Sequence, residues 1–276
     1  MIEEVPVDRI GRYGEYFPGP QPEMVVASVV EGNTRGRLWV DVEPKADRVT
    51  LLWDKGNNVF YWGGRLGSED VVWGWVSLLH GQVKERAIAE GLARFKVRAL
   101  SPSLERAVPV LFQGVTLSEY RELFLTLNKK GPAEIPLPTI GGVTFRLIDK
   151  DLLGRDDLKN LEHVRAEIRW MWPSEERFCA RGFGVAAIIA DTVIGWCTAE
   201  YMSHDQCGIG IATVEEYENR GVGTATAARF VIECGKRRIQ PHWECGVRNL
   251  GSIRVAVKAG FEKSEEATFW VGAFRE

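Results

Sequence analysis

Residues 214–225 read Val-Glu-Glu-Tyr-Glu-Asn-Arg-Gly-Val-Gly-Thr-Ala, an apolar strand running into a glycine turn and then directly into a helix. A helix start leaves several backbone N–H groups unpaired, with the positive end of the helix dipole behind them. A glycine turn at that point aims those groups at one place, and such a place takes a phosphate. No Gly-Lys-Ser/Thr follows the turn, so a nucleoside triphosphate site is excluded. The second chemical stretch is Asn249-Leu-Gly-Ser252-Ile-Arg-Val-Ala-Val-Lys258-Ala-Gly260-Phe261. There Asn249 suits the N-cap of a helix, and Gly260 followed by Phe261 suits its C-terminal stop.

Acid–base chemistry points to two carboxylates. On a strand over Pro241–Val247, alternation sends His242, Glu244 and Gly246 to one face and Trp243, Cys245 and Val247 to the other. A Glu244 flanked by Trp and Cys is partly desolvated, which moves its pKa up toward that of a useful base. The plainer reading is a carboxylate paired with a nearby Arg or Lys. Glu200, on a strand over Val193–Tyr201, is the rival base, and His204 and Asp205 lie in the loop beyond it. No Cys-His pair is evident beside Cys245, which reads as a buried hydrophobe rather than a nucleophile.

Composition narrows the class. With 276 residues, two domains are expected. A formal net charge of −3 gives no electrostatic footprint for nucleic acid. The five cysteines show no Cys-x-x-Cys spacing and the four histidines no pair on one helical face, so no metal is expected. The acidic start Met1-Ile-Glu-Glu-Val-Pro is unlike a signal peptide, and no apolar run is long enough to span a bilayer. A cytoplasmic protein, monomer or homodimer, with no membrane partner is the expectation.

The positioning elements follow from periodicity. Residues 129–142 carry three prolines and three glycines and predict an extended connector. It separates an N-terminal α+β domain (1–130) through a linker (131–141) from a second domain (142–276). Before it, strands are expected at Arg37–Val42, Val49–Trp53, Asn58–Trp62, Arg94–Ala99 and Val115–Ser118, with a helix over Val71–Glu90. Trp39, Trp53, Trp62, Trp73 and Trp75 fall in this half and read as core. After it, a strand Val143–Ile148 precedes a helix Asp156–Trp172. A hairpin Phe183–Ala190/Val193–Tyr201, a strand Gly208–Val214, a helix Gly221–Arg238, a strand Pro241–Val247 and a helix Leu250–Ala259 follow. Two short strands, Phe261–Glu265 and Thr268–Phe274, close the chain. No internal repeat is visible.

This element order and the two motifs resemble the GNAT superfamily of N-acetyltransferases. Trp243-Glu244-Cys245, Asn249, Ser252 and Lys258-Ala-Gly260-Phe261 are similar to the two-domain GNAT family associated with zwittermicin A resistance. The strong resemblance covers 142–276 and a weaker one extends into the N-terminal half. It implies an α+β chain whose C-terminal GNAT fold has a mixed, mostly antiparallel sheet splayed between its central strands. It also implies acetyl-CoA as co-substrate and a primary amine of a small molecule, an aminated antibiotic or metabolite, as acceptor. Ile211, Ala212 and Thr213 would lie along the pantetheine arm, Arg220, Gly221, Val222, Gly223 and Thr224 around the diphosphate, and Asn249 and Ser252 at the far side. Glu244 or Glu200 would act as base. Two positions depart from the family pattern. Glu218 stands where Gln or Arg is usual, and either points away from a diphosphate or weakens its binding. Ala256 stands where many relatives have a tyrosine that protonates the leaving thiolate. A different class, a non-catalytic acyl-CoA sensor, is the alternative.

Overall fold

The computed structural model describes residues 1–42, 48–66, 69–128 and 138–274. Most of the expected linker, residues 131–137, lies outside them. The chain forms two compact units, Met1–Arg121 with Thr268–Glu276, and Glu122–Ala267. Among the described residues no helix is long and apolar enough to cross a membrane.

The first unit contains β1 (Ile2–Val5), α1 (Pro20–Val30), β2 (Gly36–Asp41), β3 (Val49–Asp54) and β4 (Val59–Gly64). Next come α2 (Glu69–Leu78), a π turn (Leu79–Val83), α3 (Lys84–Ala89), β5 (Arg94–Ala99) and α4 (Pro102–Leu111). The sheet runs β1-β2-β3-β4-β5 and is completed by the end of β12 (Phe261–Ala273), where Trp270 to Ala273 pair with Val97 to Arg94. All six residues of β3 are buried, as a strand covered on both faces requires. The neighbouring β4 and β5 are parallel, in register from Val59↔Lys96 to Trp62↔Ala99, and Leu100 N–H to Trp62 O (2.8 Å) continues the ladder.

The second unit takes β6 (Ser118–Leu127) from Glu122 onward, then β7 (Val143–Leu147), α5 (Lys150–Leu153), α6 (Leu161–Met171) and α7 (Glu175–Arg181). It continues through β8 (Gly184–Ile189), β9 (Thr192–Ser203), β10 (Gln206–Thr213), α8 (Val222–Arg237), β11 (Gln240–Gly246) and α9 (Leu250–Lys258). Its sheet order is β12-β6-β11-β10-β9-β8-β7. Helix α8 buries Ala227, Phe230, Val231 and Cys234 against Phe183, just before β8, and against Val185, Cys197, Ala199 and Ile209 of the sheet. Phe183 and Phe230 stack at 4.9 Å, an offset aromatic contact beyond simple area burial.

Both units run strand, helix, three antiparallel strands, helix, parallel strand, helix, and a strand that leaves. The sequence reading expects no repeat, yet the topology repeats. The expected helix 156–172 begins only at Leu161. Lys159 accepts from Val193 N–H and donates to Asp191 O (3.0 and 2.8 Å), and Asn160 turns at φ 63°. Strand pairing there outweighs the helical periodicity. The strand expected at Val115–Ser118 instead starts at Ser118, because Val115 N–H closes a turn on Phe112 O (3.0 Å). The two closing strands are one, β12, and the helix expected over 71–90 contains the π turn. Trp39, Trp53, Trp62 and Trp75 are fully buried, whereas Trp73 is 55% exposed and is no part of the core.

Candidate functional site

Strands β10 and β11 are paired in parallel at Gln206↔Gln240, Cys207↔Pro241 and Gly208↔His242, and among the described residues go no further. The other edge of β10 stays paired with β9 to Thr213↔Gly195. Val214 N–H donates to Ile194 O (2.9 Å), so strand alternation turns the backbone groups of Ile211 and Thr213 away from β9, into the opening. Unpaired strand edges of this kind accept an amide-bearing ligand by strand-like pairing.

At the mouth of the opening the chain turns through Asn219 (φ 57°) and Gly221 (φ 85°) into α8. The left-handed Gly221 costs a glycine nothing and would strain any other residue. The first helical bond is Ala225 N–H to Gly221 O (2.9 Å). Among the described residues the N–H groups of Val222, Gly223 and Thr224 have no protein acceptor. Three donors and a helix N-terminus thus face one space.

That space is a cleft of about 540 Å³. Its walls are Ile211–Thr213, residues 218–224 apart from Arg220, Trp243, the cap Asn249, and Gly251, Ser252, Arg254, Val255 and Lys258 of α9. Every residue that the resemblance assigned to the coenzyme lies in these walls except Arg220, whose guanidinium sits 5.5 Å over the Tyr217 ring. Asn249 caps α9, accepting from Ser252 N–H (3.0 Å), and Ser252 Oγ accepts from Trp243 Nε1 (3.0 Å). Arg254 and Lys258, one turn apart on α9, also face the cleft and were not among the sequence candidates. Their spacing of four on a helix is the signal that would have found them. Glu218 stands in the wall, exposed to solvent. Ala256 is wholly buried, so α9 offers no hydroxyl there.

The other face of the sheet carries carboxylates. Cys197 and Ala199 of β9 pack on the α8 side, so Trp196, Thr198 and Glu200 point the opposite way, toward α6. Glu167 of α6 accepts from Trp196 Nε1 and from Thr198 Oγ1, both at 2.7 Å. Burial is the larger influence and raises its pKa above the ordinary carboxylate value, against the lowering effect of the two hydrogen bonds. Trp243 and Cys245 join the core beside α8, which leaves Glu244 on the carboxylate face with Glu200. Two residues beyond the last β10–β11 pair, Gly210 and Glu244 flank the opening. Burial raises the thiols of Cys197, Cys234 and Cys245, so none is a ready thiolate.

The raised pKa of Glu167 has a sign for stability. The fold disfavours the ionised form, so the cost is present above the folded pKa and vanishes below the unfolded one. Glu167→Gln is expected to melt at or above the wild-type temperature at pH 8, with the difference closing near pH ~4. Thermal melts across that range check it.

A splayed parallel pair beside a helix N-terminus, in a mixed sheet, is an architecture suited to a ligand that carries both amides and a diphosphate. Residues 15–270 match the family model described as GNAT acetyltransferase, and the chain belongs to that family of acetyl-CoA-dependent N-acetyltransferases. This is the family expected from Asn249, Ser252 and the Lys258–Phe261 run, in its two-domain, zwittermicin A resistance-like form. The chain is similar to the uncharacterized N-acetyltransferase YdfB of Bacillus subtilis, 30% identical over 129 residues, which are 47% of this chain and 48% of that one. The match thus spans about half the length of that relative. Its fold resembles the GCN5-related N-acetyltransferase-like protein of Streptococcus suis (TM-score 0.63, 18% identity, covering 96% and 98% of the two chains). It also resembles a tandem GNAT protein from the clavulanic acid biosynthesis pathway (TM-score 0.59, 13% identity, covering 100% and 99%).

Proposed function

We propose that the chain moves an acetyl group from acetyl-CoA directly to a primary amine of a small molecule, an aminated antibiotic or metabolite, in the cytoplasm. One observation carries the reading: unpaired N–H groups at the start of α8 and the open edge of β10 line the same cleft. In it the N–H groups of residues 221–224 hold the diphosphate, with Arg220 free to swing in from Tyr217. Ile211 and Thr213 pair with the pantetheine amides beside Ala212, and Asn249 and Ser252 form the far wall. Arg254 and Lys258 offset the phosphate charge and that of Glu218. The transfer site lies wholly within residues 142–276.

An amine with a pKa near ~10 is mostly ammonium at neutral pH and must lose a proton before it attacks. The ammonium approaches from the face that carries Glu200 and Glu244, and a carboxylate there takes the proton. A backbone N–H of β10 faces the thioester oxygen and stabilises the tetrahedral oxyanion. With thiol pKa values near ~8.5, the thiolate leaves without a dedicated acid, consistent with Ala256. The test is thiol release from acetyl-CoA with a panel of primary amines. Amine-dependent, saturable release supports the reading. Coenzyme binding without release for any amine would point to a sensor instead.

A further inference from the structure

Gly210 sits on β10 where the strand has just parted from β11, and three oxygens from elsewhere meet where a β-carbon would stand. A β-carbon there would collide with Glu200 Oε1 and come within 2.8 Å of both Glu167 Oε1 and Thr198 Oγ1. Only a glycine lets β9, β10 and α6 bring these groups to the edge of the opening. On the acetyl-transfer reading, a coenzyme lying along β10 from residue 213 toward 209 would bring its thioester to this place.

Glu167 of α6 is one of the groups gathered at Gly210. Both of its oxygens are fixed by neutral donors, Trp196 Nε1 and Thr198 Oγ1, each at 2.7 Å. Among the described residues it has no cationic partner. A carboxylate taken largely out of water with no counter-charge is costly, and it is satisfied by binding a cation or by accepting a proton. An ammonium acceptor supplies both.

We infer that Glu167 is the catalytic base, taking the proton of the acceptor ammonium while Glu200, beside it at Gly210, holds the charged nitrogen before transfer. The inference rests on the acetyl-transfer reading above. One N–H bond of the ammonium breaks and the proton goes to a Glu167 oxygen. The freed lone pair forms the bond to the thioester carbon. The C–S bond then breaks, and the second nitrogen proton passes to the departing sulfur. The amide and free coenzyme remain, and Glu167 returns its proton to solvent.

The test compares two nucleophiles in the full-length protein. n-Butylamine is protonated at neutral pH and needs a base, whereas hydroxylamine is already neutral and does not. Glu167→Gln is expected to lower turnover of n-butylamine about a hundredfold or more. Turnover of hydroxylamine, corrected for the uncatalysed reaction, should stay within about threefold and the calorimetric affinity for acetyl-CoA should not change. Glu162→Gln, on the exposed side of α6, should leave both rates alone. Equal losses with the two nucleophiles would make Glu167 structural and overturn the inference, as would an unchanged n-butylamine rate. If the wild-type protein binds acetyl-CoA but releases thiol with no amine of the panel, these two nucleophiles included, the transfer reading fails and takes this role with it.

Discussion

Gly223→Asp should abolish useful affinity for acetyl-CoA while leaving the fold intact or slightly more stable. Gly223 lies in the first turn of α8, in the wall of the cleft, and a β-carbon there meets only Thr213 Oγ1 at 3.1 Å and Val255 Cγ2 at 3.7 Å. The hydroxyl needs to give by a few tenths of an ångström. An aspartate near a helix N-terminus complements the dipole, worth about 0.3–1 kcal/mol. The same charge repels the diphosphate that the reading places on these amides. Unit charges ~4 Å apart at an effective dielectric near 20 interact by about 4 kcal/mol, so a loss of about a hundredfold or more is expected. Calorimetry and a thermal melt on the same sample separate the two effects. Retained affinity would mean that the diphosphate is held elsewhere.

Trp75→Ala should cost about 3–5 kcal/mol of stability by denaturant unfolding, the range for deleting a large buried aromatic side chain. Trp75 of α2 is wholly buried and meets Trp62 of β4 edge-on at 5.1 Å. Among the described residues its Nε1 has no hydrogen-bond partner, so truncation leaves no orphaned acceptor there and the cost is one of packing. The contrast with the second unit makes the result informative. In the first unit the parallel strands β4 and β5 stay paired from Val59↔Lys96 to Trp62↔Ala99, the end of β5, and indoles fill the space beside α2. In the second the corresponding strands part after three pairs and a cleft remains. A loss below ~1 kcal/mol would mean that the tryptophans border open space rather than fill a core.

Much of the second unit was legible because local signals and tertiary demands agree. The glycine turn, the Asn249 cap and the Gly260 stop each need a particular backbone conformation that only a few residue types supply. Gly260 indeed lies at φ 91°, with Phe261 buried after it. The strand alternation that set Trp243 apart from Glu244 survived for the same reason. The duplicated topology was hidden because it is carried by backbone connections, while the paired strands and helices of the two units bury unlike side chains. Helix α1, with Met24, Val25, Val26 and Val29 buried, reads as a continuous apolar run without clear helical period. Helix α4 carries an internal Pro109, which argues against a helix on sequence grounds. Glu167 was missed because its partners are nearly thirty positions away in sequence, on β9. On α6 alone it looks like one more polar residue of an amphipathic helix.

The most direct test of the account is calorimetric titration of the full-length protein with acetyl-CoA. Saturable binding of one coenzyme per chain, lost in Gly223→Asp, is the expected result, since the parted strands and the helix-start amides that line one cleft are those of the second unit. No measurable heat of binding, or affinity indifferent to that substitution, would contradict it.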